Sequence, residues 1–416
     1  MTRSHHARVL GLVSVFLAAS RSDAAVDKPE PMGNLPAGIR SRFVDNHNSL
    51  RMHVLEAGFE SEERPCVLLL HGFPELAYSW RKVMLPLAAA GYHVVAPDQR
   101  GYGRTTGADL TFEADLAAYK MLNLVRDTVG LISALGRRQV HLVGHDAGSA
   151  VAAWCALLRS DLAQSVTMMS SPFAGPPSIP FATADGRPFE RAVRNSIPAI
   201  SPALGELNPP RMHYQWYYTT REANGDLTNA PQGLHAFLRG YYHHKSADWA
   251  ANQPFRLEGW TAAALAQMPT YYVMKRDETM AETVAAEMPS AAAIAACAWL
   301  PDDELQVYAS EYRRTGFQGG LNWYRARLSG KFNGDLEVFS GRTITVPACY
   351  ISGKSDWGNY QFPGSFERMS QTACAQMLGV HLVEGAGHWV QQERPAEVSR
   401  LLLQSFRAAS ERTSGR

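Results

Sequence analysis

The 416-residue sequence predicts an α/β fold, with a mostly parallel central sheet flanked by helices and interrupted by an inserted helical lid. Three observations predict it. Short, fully apolar runs alternate with amphipathic stretches from residue 40 onward, the rhythm of strand–helix–strand units whose sheet is covered on both faces. That rhythm stops over residues 173–342, which are rich in Pro, Tyr and Trp, carry helical patches and show no clear buried strand; it then resumes to the C-terminus. Finally, a composition 46% apolar and 19% charged belongs to a globular chain, long enough for one large core with a subdomain.

Each element follows in order. Residues 1–24 are basic at first (MTRSHHAR), then apolar (VLGLVSVFLAA), then small, with cleavage expected after Ser20 or Ala24. Those are the parts of a secretory signal peptide, and the apolar run is too short to span a bilayer. Export is therefore expected, with an organelle transit peptide or a plain tail on a cytoplasmic protein as the alternatives. Residues 25–39 read as a linker without a fold of its own. The core is expected over 40–172 and 343–416, with the lid at 173–342. Residues 49–56 alternate like one half-buried arm of a hairpin. The run 66–70 reads as a buried strand, 76–90 as a helix closed by Gly91, and 92–96 as a second buried strand. One long helix is expected over 116–135, then a strand at 140–143, a helix at 148–158 and a strand at 165–169. Strands at 348–353 and 380–385 and a helix at 395–408 complete the sheet and its cover. Lids of this kind sit over the carboxyl ends of the strands, where open α/β sheets hold their ligands.

The formal net charge of +1 and the lack of long charge runs argue against nucleic acid or an anionic membrane surface as a partner. The five cysteines are scattered and odd in number, so they read as buried thiols rather than a disulfide framework, with a Cys297–Cys374 bridge as the alternative.

The chemistry centres on LVGHDAGSAVAAW, residues 142–154. A strand ends in Gly-His-Asp-Ala-Gly and small residues continue at helical spacing, the pattern of a strained turn that exposes a nucleophile. Here the exposed residue is Asp146. An Asp at a helix start also serves as an N-cap, but a cap needs no flanking glycines and a tight turn needs both Gly144 and Gly148. Asp356 in YISGKSDWG and His388 in VEGAGHWVQQERP each follow a separate expected strand. Nucleophile, acid and histidine thus come in the chain order of hydrolytic triads on such sheets. LLLHGFPE places a His-Gly turn after the first buried strand, so the backbone amides of Phe73 and Ala147 would converge on a developing oxyanion. DQRGYGRT, residues 98–105, reads as structural support beneath these loops.

HGFPE, DQRGYG, GHDAG, SDWG and GHWVQQERP together resemble the epoxide hydrolase branch of the α/β-hydrolase family, over residues 43–406 with the lid included. In the lid, YQWYY (214–218) and GGLNWYR (319–325) extend the resemblance. It implies that Tyr214 and Tyr324 point at an epoxide oxygen, and that His71, Pro74, Gln215, Trp323 and Trp389 border the substrate pocket. The other tyrosines, Tyr217, Tyr218, Tyr241 and Tyr242, are left to packing. The implied partners are a small, apolar epoxide and water, with no cofactor and no metal. Relatives often carry Trp after the nucleophile; Ala147 here leaves either room for a bulkier substrate or a repacked wall.

The residue types suit that reaction. A carboxylate is already anionic and attacks a saturated carbon without a base, forming an alkyl ester of Asp146. Phenols, neutral at pH 7 with a pKa near 10, can protonate the oxygen as the ring opens. His388 would then draw a proton from the water that attacks the ester, with Asp356 fixing its tautomer. A haloalkane or haloacid dehalogenase is the alternative enzyme. The first needs a halide donor such as Trp after the nucleophile, the second arginines behind it, and DAGSAVAAW has neither. A non-catalytic ligand-binding protein on the same fold is the alternative outside enzymology.

Overall fold

The computed structural model describes residues 34–179 and 195–414, together with Met1 and Phe181. The expected leader and most of the linker lie outside the described residues. The last linker residues are not free: Tyr78 donates to the Asn34 carbonyl at 3.2 Å, the Asn34 amide reaches Asp303, and Ile39 is buried.

Ten strands lie among the described residues: β1 (Arg40–Asp45), β2 (Arg51–Ala57), β3 (Cys66–Leu70), β4 (His93–Pro97), β5 (Val140–His145), β6 (Ala163–Met169), β7 (Arg211–His213), β8 (Val273–Lys275), β9 (Ala348–Gly353) and β10 (Met377–Val383). Eight of them form one sheet in the order β1-β2-β4-β3-β5-β6-β9-β10. β1 and β2 are the expected hairpin, β2 meets β4 antiparallel, and every later pairing is parallel. β3 and β4 are buried at every position, as strands covered on both faces must be. The covering helices are α1 (Arg81–Ala89), α2 (Met121–Ala134), α3 (Ala147–Leu158) and, past the inserted segment, the C-terminal helix Pro395–Ser414, with α1 packed on the C-terminal helix and α2 on α3.

The expected single helix over 116–135 is broken. Residues Leu116–Tyr119 make a separate 3-10 turn capped by Asp115, and Lys120 is extended (φ −68°, ψ 150°) before α2 starts. The break is tertiary in origin: the Lys120 ammonium leaves the helix line to pair with Asp335 at 2.7 Å and lie over the Phe332 ring. Contacts of that kind override a helix propensity of a few tenths of a kcal/mol per residue. The last strand is also earlier than expected, ending at Val383, because Gly385 turns the chain with φ +66°.

Between β6 and β9 the chain is mainly helical, including α4 (Leu234–Lys245), α5 (Asp302–Thr315) and α6 (Gln318–Leu328); the C-terminal helix is α7. It also holds a feature the sequence hides. β7 and β8 pair antiparallel, His213 opposite Val273, and are too short to show a period-2 pattern. All five cysteines are unbridged, four of them buried and Cys297 half-buried. No helix among the described residues is long and apolar enough to cross a membrane.

Candidate active site

Asp146 joins β5 to α3 with φ +51° and ψ −119°, a conformation a non-glycine residue rarely adopts. It is held there from both sides: its amide donates to the Met169 carbonyl at 3.0 Å, and its own carbonyl accepts from Ser149 at 3.0 Å. Glycine is required around it. A Cβ on Gly144 would stand 2.1 Å from the Gly148 carbonyl oxygen, one on Gly148 2.2 Å from that of Leu70, and one on Gly72 2.4 Å from Asp146 Cβ. The Asp146 side chain makes no helix cap, so the capping alternative fails. Instead Oδ1 accepts from the Phe73 amide at 3.0 Å, one of the two backbone donors expected here. Ala147 is the first residue of α3.

Asp356, after β9, and His388, after β10, meet beside it. His388 Nδ1 lies 3.1 Å and 3.2 Å from the two Asp356 oxygens, and those oxygens also accept from Gly358 N at 2.7 Å and the Ser352 hydroxyl at 3.0 Å. The Nδ1 proton therefore goes to Asp356, and Nε2 faces Asp146 Oδ2 at 3.6 Å. That distance is too long for a hydrogen bond, and Nε2 is buried with no other partner among the described residues. Burial disfavours the His388 cation, as does Lys245, but the Asp356 and Asp146 carboxylates outweigh both and raise its pKa to about 9. The same imidazolium holds Asp146 and Asp356 below the usual carboxylate range against the desolvation that would raise them.

The quoted motifs prove to be parts of one buried network. Glu75 of HGFPE accepts from His145 of GHDAG at 2.6 Å and from Gln391 and Gln392 of WVQQE at 2.8 and 3.1 Å; His145 in turn reaches the His388 carbonyl at 2.7 Å. Glu393 clamps the His388 loop by accepting from Gly387, Trp389 and Ala247 amides. Asp98 of DQRGYGRT accepts from His53, Ala77 N and Arg104 N, the structural role expected of that stretch.

The inserted segment supplies the tyrosines. β7 runs directly into Tyr214, whose amide donates to the Tyr272 carbonyl at 2.9 Å. Arg327, a donor only, faces the Gln215 carbonyl oxygen, so the Gln215 amide nitrogen donates to the Tyr214 hydroxyl at 2.8 Å. That hydroxyl accepts, and its own proton stays available for another acceptor. Tyr324 lies on α6, seated by backbone contact: a Cβ on Gly319 would be 2.0 Å from the Gly101 carbonyl oxygen. The Tyr324 ring packs edge-on to Phe73 at 5.5 Å and lies 6.2 Å from Tyr214. The residue is buried. Burial and the nearby Asp146 charge raise the pKa of Tyr214, and burial with Tyr214 and Asp146 that of Tyr324, so both remain neutral donors. Tyr217, Tyr218 and Tyr242 spend their hydroxyls on Asp226, Tyr241 and the Pro74 carbonyl, in keeping with packing.

A cavity of about 210 Å³ opens beside the elbow, with Ala147, Trp323 and Tyr324 among its walls. The other expected pocket residues lie behind the reacting groups. His71 is fully buried, with Nδ1 on the Gly72 carbonyl and Nε2 accepting from Gln99 N, so it supports the Phe73 loop rather than bordering that cavity. Pro74 receives Tyr242, Gln215 orients Tyr214, and the buried Trp389 donates to the Tyr242 carbonyl while its ring stands edge-on to His388. Sequence reasoning passed over Lys245. Its ammonium is buried on α4 within 5.0–5.8 Å of five aromatic ring centres, among them Tyr214 and Trp389, and burial lowers its pKa. Its neighbours in sequence, HHKSAD, carry no sign of such a cage.

Residues 65–192 match the α/β hydrolase fold family. The chain is 34% identical over 373 residues to epoxide hydrolase A of Mycobacterium tuberculosis, covering 87% of this chain and 96% of that protein. It is 30% identical to an epoxide hydrolase of Caballeronia sordidicola, covering 86% and 92%. Among solved structures it is similar to an epoxide hydrolase from an endophytic Streptomyces (TM-score 0.70, 30% identity, 90% and 97% covered). It is similar also to potato epoxide hydrolase I (TM-score 0.66, 30% identity, 89% and 99% covered). With the fold, the elbow and these relatives in agreement, the chain belongs to the epoxide hydrolase branch of the α/β-hydrolase family.

Proposed function

We propose that this enzyme converts an apolar epoxide and water to a vicinal diol through an ester on Asp146. The observation that carries this reading is the buried, unpartnered His388 Nε2 facing the Asp146 carboxylate at 3.6 Å, since a base so placed serves the ester and not the attack. The Asp146 carboxylate displaces the epoxide oxygen from carbon. As that C–O bond breaks, the oxygen takes a proton from Tyr214 or Tyr324. Esterification removes the Asp146 charge, and with it one of the partners that hold His388 protonated. The imidazolium releases its proton to solvent more readily, and regains one after turnover, so it becomes a base at the stage that needs one. Water attacks the ester carbonyl while giving a proton to Nε2. The Phe73 and Ala147 amides receive the oxyanion; as it collapses, His388 gives the proton it took from water to the departing oxygen, and the diol leaves with the oxygen by which Asp146 attacked. A proton then passes from the regenerated carboxyl to the phenolate, closing the cycle.

The dehalogenase alternative finds no support at position 147, where alanine offers no donor to a halide. Residues 1–24 support export as part of the same proposal; N-terminal sequencing of the secreted protein, starting after Ser20 or Ala24, tests it. The mechanism itself is tested with His388→Gln, which on incubation with substrate accumulates the ester. Mass spectrometry then finds the peptide bearing Asp146 heavier by the mass of the epoxide. An unmodified peptide in a variant that still binds substrate contradicts the mechanism.

A further inference from the structure

The cavity beside the elbow lies where a large side chain after the nucleophile would have stood. Ala147, Ala150 and Trp154 share one face of α3, at i, i+3 and i+7, and all three line it. Ala147 and Ala150 end at Cβ and are only partly buried, so the wall next to Asp146 has stayed open rather than repacked. At 1.5 Å of rise per residue this face runs roughly 10 Å from the nucleophile. Tyr324 and Phe332 from the inserted segment and Met121 from α2 complete the lining. At one end Lys120 and Asp335 pair at 2.7 Å with about a third of each side chain exposed (32% and 37%), and Arg327 is a further charged residue of the lining. The break in the helix before Met121 is what brings that pair to the cavity.

We propose that this cavity binds a bulky apolar substituent of the epoxide, an aryl or branched alkyl group larger than a phenyl ring, and that the small residues of α3 set its size. The proposal rests on the epoxide-opening role of Asp146 and Tyr324 given above. An apolar cavity of about 150 Å³ takes up benzene, so about 210 Å³ admits a larger group. The charged groups on its walls are the Lys120–Asp335 pair and Arg327, whose guanidinium is turned to Gln215; the α3 wall carries no charge. A substituent on the carbon next to the one attacked would lie along α3 while the epoxide oxygen meets the tyrosines.

The test compares diol formation from 2-naphthyloxirane and propylene oxide, which share the reacting ring and differ in the substituent. The wild type favours the naphthyl compound in kcat/KM. Ala150→Phe, which fills the cavity one helical turn from the nucleophile, lowers the ratio of the naphthyl to the propylene kcat/KM by about 10- to 200-fold. Met121→Trp does the same from α2 and stands in if the first variant fails to fold. A ratio that is unchanged or rises in the folded variants overturns the proposal, as does a wild-type preference for propylene oxide. If the wild type forms diol from neither epoxide, the epoxide-opening mechanism fails instead, which is a different result.

Discussion

At Asp146 a side chain that would ordinarily cap a helix is turned outward by a backbone at φ +51°, and the glycines around it exist because any Cβ there would meet a neighbouring atom. The residue pattern announced this, since the pair Gly144 and Gly148 has no purpose in a simple cap. Electrostatics then follows from position. His388 titrates at about 9 because Asp356 and Asp146 outweigh its burial and the opposing Lys245. Asp146→Asn removes one negative charge, so the His388 pKa must fall, imitating the esterified enzyme. NMR titration of His388 in the two proteins checks this, and an unchanged or higher value contradicts it. For the tyrosines, Tyr214→Phe and Tyr324→Phe should each lower kcat/KM by about 10²–10³, the usual worth of one donor to developing charge. The double variant should lose ring opening altogether, while a small, additive loss would place the donor elsewhere. Lys245 was illegible in sequence because a buried cation is defined by rings that reach it from distant segments. Gln215 and Trp389 were expected as pocket walls; Gln215 donates to the Tyr214 hydroxyl and Trp389 to the Tyr242 carbonyl, contacts that no local motif spells out.

Among the elements, the alternation of buried strands and helices was readable because central strands such as β3 (CVLLL) are short apolar runs buried at every position, as a doubly covered sheet demands. The break at Lys120 was not, since the cause is an ion pair with Asp335, far along the chain. Nor was the β7–β8 ribbon, which is too short for any periodic signal yet leads straight into Tyr214. GGLNWYR shows the opposite case, a local motif with a long-range meaning: Gly319 lets α6 rest on the Gly101 backbone, and Tyr324 sits a turn and a half farther on the same helix. Gly319→Ala should therefore cost about 1–3 kcal/mol in urea unfolding, the usual range for overpacking, and lower kcat/KM by misplacing Tyr324. Gly334→Ala, where an added Cβ meets nothing within 4 Å, is the control that leaves kcat/KM unchanged and does not lower stability, since alanine is favoured over glycine within a helix. Equal behaviour of the two variants would refute the seating role.

Across the whole molecule, one continuous hydrophobic cluster joins the sheet to the inserted segment: Phe73 and Leu76 from the core share it with Tyr218, Tyr308, Leu321 and Tyr324. The inserted segment and sheet should then unfold together, with near-UV circular dichroism and loss of activity coincident in urea; separated midpoints would mean the two parts are only loosely joined. Motifs spread from residue 71 to residue 393 could be gathered into one site from sequence because Glu75, His145, Gln391 and Gln392 are in fact one hydrogen-bonded network, each motif contributing a part. That joined structure serves a cycle in which the chain lends an oxygen to its product. A single turnover in ¹⁸O-water, with enzyme in excess over epoxide, measures this directly. The diol from the first turnover should carry no label, and ¹⁸O should appear in the Asp146 carboxylate. Label entering the first diol, with none in Asp146, would contradict it.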